Sequence, residues 1–182
     1  WLQYNEAGDW GNNPGVPSVY TQTLKELIDA FVAEHPQIDT NRILIGGCSN
    51  GGYMTVNMAI QYPGYFAAAY PICEAYKDSG ITEEQLAALK DLPMWFVYAE
   101  NDTIVDPTFY EAPTLARLKA VDAKVHTSIF ADVHDTTGLY KGTDGEPYQY
   151  MGHLSWLYFF NRECKDDITG EDLWTWLGKQ SK

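Results

Sequence analysis

"RILIGGCSNGGYMTVNMAI", Arg42–Ile60, sets Ser49 between two glycine pairs, after an apolar run and before an amphipathic one. Glycine weakens strand and helix interiors, because it loses the most backbone freedom on folding and has no side chain to pack. Four glycines around one hydroxyl therefore need a geometric reason. The apolar run reads as a short strand, Arg42 to Ile45, and Thr55 to Tyr62 continues a helix closed by Pro63-Gly64. Gly47-Cys48-Ser49-Asn50-Gly51 then fits G-x-S-x-G at a strand-to-helix turn. On such a turn the residues two before and two after the serine crowd each other, which makes Gly47 and Gly51 steric requirements. The turn lifts the hydroxyl above a sheet and aims the N–H groups of a helix N-terminus at developing negative charge, with the Asn50 N–H as one oxyanion donor. An incidental serine in a glycine-rich turn is the plainer alternative; the strand–turn–helix setting favours a nucleophile.

Outward from this turn, helices and strands alternate. Ser18 is placed to cap a helix with apolar positions Tyr20, Leu24, Leu27, Ile28 and Phe31, ending near His35-Pro36. Phe66 to Ile72 reads as a second strand, and Thr82 with Gln85 as a capping box for a short helix to Asp91. Pro93 to Glu100, "PMWFVYAE", is a continuous apolar run of the kind buried parallel strands show. Asp106-Pro107 opens another helix, Lys124 to Phe130 is a fourth strand, and a last amphipathic helix carries Leu173, Trp174 and Leu177. The alternation predicts a single α/β domain over residues 1–182, a parallel sheet flanked by helices. Between Ala131 and Gly152 neither pattern holds, and Thr143 to Pro147 reads as a hairpin turn; loops of this length are usually functional or mobile.

With 45% apolar residues among 182, the chain can bury one sizeable core. No run approaches the ~18 apolar residues of a membrane span. A formal charge of −13 argues against nucleic acid, whose phosphates need clustered Lys and Arg. Cys48, Cys73 and Cys164 lack metal or redox spacing and read as buried thiols, with a Cys48–Cys73 bridge as the alternative. The opening "WLQYNEAGDWGNNPGVPSVY" is loop-like and leads straight into a strong helix, so native sequence is expected upstream of Trp1.

A serine nucleophile needs a base, and the base an orienting acid. In "VYAENDTIVDP", Asp102 falls in the loop beyond the C-terminal end of the buried strand, where α/β sites lie. Asp106 precedes a proline at a helix start and reads as an N-cap; Glu100 is a weaker third candidate. For the base, His35 and His126 read as structural. His134 in "DVHDTTG" and His153 in "MGHLSW" both follow the last strand, and His153 is favoured because it opens an aromatic helix able to hold it rigidly. Asp132, Asp135 and Asp144 form a conceivable weak cation site, for which a solvated loop is the better reading.

"GGCSNGGYM", "ENDTIVDP" and "GHLSW" together resemble the α/β-hydrolase superfamily, and within it bacterial esterases related to polyhydroxybutyrate depolymerases, feruloyl esterases and the catalytic domain of prolyl oligopeptidases. The resemblance implies Ser49 as nucleophile, Asp102 as acid and His153 as base, with no metal or organic cofactor. It covers the later half of that fold: nothing here matches the family's earlier strands or the His-Gly segment that gives the second oxyanion donor. The Arg42–Ile45 strand would then be an open apolar edge unless an upstream segment completes the sheet. The implied activity is a serine carboxylester hydrolase acting on a small-molecule or polymer-linked ester. Trp10, Tyr53, Glu74 and Tyr76 are candidates to line an aromatic pocket. A prolyl oligopeptidase-type peptidase and an inactive half-domain serving as a binding module are the alternatives.

Overall fold

The computed structural model describes residues 18–182. Four parallel strands, β1 (Leu44–Cys48), β2 (Ala68–Ile72), β3 (Met94–Ala99) and β4 (Val125–Phe130), lie side by side in chain order. Every crossover is a helix: α2 (Asn50–Gln61) joins β1 to β2, α3 (Glu83–Leu89) joins β2 to β3, and α4 (Glu111–Ala120) joins β3 to β4. A helix α1 (Thr21–Glu34) precedes the sheet. After β4 the chain forms a two-stranded antiparallel hairpin, β5 (Val133–His134) with β6 (Gln149–Tyr150), then helices α5 (Trp156–Phe160) and α6 (Leu173–Lys179).

The period-2 alternation of strands decides which side chains meet which layer. On β3, Met94, Phe96 and Tyr98 join Val56, Met58, Leu86, Leu89, Leu115 and Leu118 of α2 to α4. Trp95, Val97 and Ala99 face the other way, into Phe159, Leu173, Trp176 and Leu177 of α5 and α6. All six β3 residues are buried, which is why this strand reads as an unbroken apolar run.

Several local expectations need correction. Ser18 does not cap α1: the N-cap is Tyr20, and Ser18 instead makes a turn, its hydroxyl accepting the Tyr20 N–H while its carbonyl accepts from Thr21. Asp106 does not start α4. Residues 107–110 form turns, Asp106 accepts from the Thr108 N–H and hydroxyl, and the helix begins at Glu111. The Thr82–Gln85 capping box is present with both of its bonds. Leu173 and Leu177 of α6 are buried, whereas Trp174 points outward over Phe159 and Trp176 fills the core. The three cysteines are free thiols, so there is no Cys48–Cys73 bridge. Among the described residues, no helix is long and apolar enough to cross a membrane.

Candidate active site

Ser49 links β1 to α2 with φ 58° and ψ −114°, a conformation that L residues adopt only when their surroundings force it. The forcing contacts are visible. The Ser49 N–H donates to the Ile72 carbonyl at 2.8 Å and lies 3.2 Å from the Cys73 sulfur, which ties the turn to the end of β2. A Cβ on Gly47 would sit 2.8 Å from the Gly51 backbone, one on Gly52 would be 2.7 Å from the Glu74 Cα, and one on Gly46 would enter the Tyr70 ring. Gly51 differs from the expectation, since a Cβ there meets nothing within 4 Å. The crowding between Gly47 and Gly51 is one-sided: Gly51 supplies the backbone wall, and of these two Gly47 is the one that must lack a side chain. Asn50 opens α2, so its N–H has no acceptor within the helix.

The His153 Nε2 lies 2.9 Å from the Ser49 hydroxyl and its Nδ1 2.8 Å from Asp102 Oδ2. The other oxygen of Asp102 accepts the N–H groups of Ile104 and Val105, at 2.8 and 3.0 Å. This carboxylate is therefore fixed from both sides, and it is 4% exposed. His153 sits in a 3-10 turn, Gly152–Leu154, whose first residue packs on the acid loop: a Cβ at Gly152 would be 2.6 Å from Asn101 backbone atoms. Trp156 meets the imidazole edge-on at 5.4 Å. From sequence, neither Gly152 nor Cys73 was given a part in holding the site; a glycine directly before the histidine was the available signal.

The rival candidates lie elsewhere. His134 is exposed on the hairpin and bonds Asp132 at 2.6 Å. His126 stacks on Trp95 and bonds the buried Asp166, and His35 closes α1 against the Phe31 carbonyl. Glu100 is exposed at the end of β3. Asp132, Asp135 and Asp144 each serve local turns, Asp135 through Thr137 and the Tyr140 N–H and Asp144 through the Glu146 N–H, and among the described residues no three metal-type ligands converge. Trp10 lies outside the described residues. Tyr53, Glu74 and Tyr76 are buried, with Tyr53 stacked on Tyr76 at 5.1 Å. A cleft of about 270 Å³ does exist, but Phe66, Leu92, Pro93 and Lys124 place it at the opposite, N-terminal end of the strands.

Residues 16–138 match the model of the phospholipase/carboxylesterase family, a stretch that contains Ser49 and Asp102. The chain belongs to that family. Among solved structures, a thermostable esterase is 26% identical with a TM-score of 0.72, covering 99% of this chain and 41% of its own. An acylaminoacyl peptidase of Pyrococcus horikoshii, 22% identical with a TM-score of 0.54, covers 87% of this chain and 30% of its own and shares the fold. The poly(3-hydroxyalkanoate) depolymerase C of Paucimonas lemoignei is 42% identical over 50 residues, 28% of this chain and 12% of that one. The sheet and its helices are thus an α/β-hydrolase fold, and the chain spans less than half the length of the esterase and depolymerase it matches.

Proposed function

We propose that this chain carries the catalytic residues of a serine carboxylester hydrolase working through an acyl-enzyme. The observation that supports it is the unbroken chain of contacts from Asp102 through His153 to Ser49. An ionised Asp102 can only accept, so Nδ1 of His153 carries the proton and Nε2 is left with a lone pair facing the serine. His153 takes the Ser49 proton as Oγ attacks the ester carbonyl, and returns it to the leaving alkoxide as the alcohol departs. Water, deprotonated by the same imidazole, then cleaves the acyl–serine bond and frees the acid. The Asn50 N–H meets the oxyanion. A second donor, on the resemblance to esterases of this fold, comes from a segment that also extends the sheet beyond β1; such a donor contributes roughly 2.7–4 kcal/mol to the transition state.

The depolymerase relative supports an aliphatic ester, free or polymer-linked, as substrate. A fluorophosphonate probe should label the protein at Ser49, and Ser49→Ala should abolish labelling and hydrolysis of a short aryl ester together. Labelling that survives the substitution removes Ser49 from the reaction. Faster turnover of anilides than of matched esters would move the reading to a peptidase.

A further inference from the structure

Directly behind the serine turn, the chain leaving β2 runs Cys73-Glu74-Ala75-Tyr76, and the Glu74 backbone abuts Gly52 of α2. Glu74 is fully buried; its Oε2 accepts the Tyr76 N–H, and its Oε1 has no hydrogen-bond partner. Glu111, the first residue of α4, is 1% exposed, and neither of its carboxyl oxygens has a partner. The two segments are held together around them. The Asp78 N–H donates to the Phe109 carbonyl, and the Thr114 hydroxyl donates to Asp78. Arg117 is already committed, bonding Asp78, Glu83 and the Ile81 carbonyl. Among the described residues neither glutamate takes part in an ion pair.

Three carboxyl oxygens without a hydrogen-bond partner, buried on two segments that bond each other, lack one thing that a single proton supplies. Two ionised carboxylates there would repel each other in a low-dielectric interior, whereas one protonated carboxyl donates an O–H to its neighbour. We propose that Glu74 and Glu111 share one proton, and that the resulting acid–carboxylate hydrogen bond ties the turn behind Ser49 to the helix that follows the Asp102 loop. The pair is a positioning device that touches no substrate; its effect on turnover rests on the hydrolase reading above, its protonation does not. Burial first, then the charge of Glu74, with that of Asp102 adding to it, pushes the Glu111 carboxyl well above the ordinary glutamate range against the opposing N–H groups of Glu111 and Glu74. Burial, with the charge of Asp78, does the same to Glu74 against the opposing Tyr76 N–H.

The pH consequence has a definite sign. Unfolded glutamates release their protons in the ordinary range, while the folded pair keeps one to higher pH. Between those two points the folded state binds more protons, so stability falls as pH rises through that window. The groups facing the pair do not mimic this. Tyr76 and Tyr98 are pushed up to about 12, chiefly by burial. Burial also raises the Tyr53 hydroxyl and the Cys73 thiol. Asp78 is paired with Arg117, and Asp102 with His153 and two N–H groups.

Infrared spectra of the full-length protein at neutral pH should show a protonated-carboxyl C=O stretch that shifts in D2O. The band should vanish in both Glu111→Gln and Glu74→Gln, where the amide replaces the acid as donor. Turnover of an aryl ester should fall reversibly on the alkaline side for the wild type, and Glu111→Gln should flatten that limb. Glu111→Ala should lose on the order of tenfold in kcat, as a buried charge-assisted bond disappears, and Glu111→Gln should recover most of it. If the alanine variant does not fold, the slope of melting temperature against pH in Glu111→Gln decides instead: a slope flatter than wild type supports the pair, an equal slope overturns it. A wild-type spectrum without the band, a band that persists in both glutamine variants, or an unchanged alkaline limb in Glu111→Gln overturns it too. Hydrolysis that survives Ser49→Ala would sink the hydrolase reading alone and leave the spectroscopic result standing.

Discussion

Both ring nitrogens of His153 are engaged, so the state of Asp102 dictates what the imidazole can do for Ser49. Asp102→Asn keeps an oxygen for the Ile104 and Val105 N–H groups, so the loop should hold its shape. Its amide would now present a donor to Nδ1, turning the imidazole to the tautomer whose Nε2 already carries a proton. That nitrogen cannot accept from serine, and kcat should fall by as much as about 10⁴ while the melting temperature barely moves. Asp106→Ala, which removes only an exposed turn contact with Thr108, should leave kcat close to wild type. His134→Ala should do likewise, since His134 bonds Asp132 on the hairpin. Loss of turnover in His134→Ala with retention in His153→Ala would exchange their roles.

The turn between β1 and α2 makes a sharper test, because its glycines are not equivalent. Gly47→Ala drives a Cβ to 2.8 Å from the Gly51 backbone and should cost about 1–3 kcal/mol, as overpacking usually does, with the serine displaced as well. Gly51→Ala meets open space inside a helix, where alanine is favoured over glycine by about 0.8–1 kcal/mol, so it should stabilise. Chemical denaturation of the two variants, with fluorophosphonate labelling rates, checks both signs. The G-x-S-x-G spacing located this turn, yet sequence alone treated its two glycines as alike, because which of two crowded residues must give way depends on the Cα–Cβ directions. The same division runs along the chain. The β3 run and the Thr82–Gln85 box were legible because one contiguous segment determines each. Asp106 misled because a proline after an aspartate starts turns as readily as helices. The burial of Glu74 and Tyr76 was not legible, because it is decided by α2 and α4, far away in sequence.

For the molecule as a whole, the open question is what its uncovered apolar surface does in water. Among the described residues β1 pairs with β2 alone, leaving its other edge without a strand. On α1, Leu24 and Ile28 pack against the core, but Leu27 and Phe31 are 63% and 54% exposed one turn apart. An unpaired parallel edge and an apolar helix stripe both favour association, while a formal charge of −13 opposes it. Repulsion between such charges acts over ~30 Å in 0.01 M salt and only ~8 Å at 0.15 M. The 182-residue chain alone should therefore be close to monomeric at low salt and associate increasingly as salt is added, the reverse of an assembly held by ion pairs. Covering the exposed parts of Leu27 and Phe31 would contribute about 2–3 kcal/mol, so Leu27→Lys with Phe31→Lys should weaken association by roughly 30- to 160-fold if the helix is the contact. Sedimentation velocity across a concentration series at two salt levels separates the cases. Association untouched by the double substitution would assign it to the β1 edge, and a chain that stays monomeric at high salt would show that neither surface drives assembly.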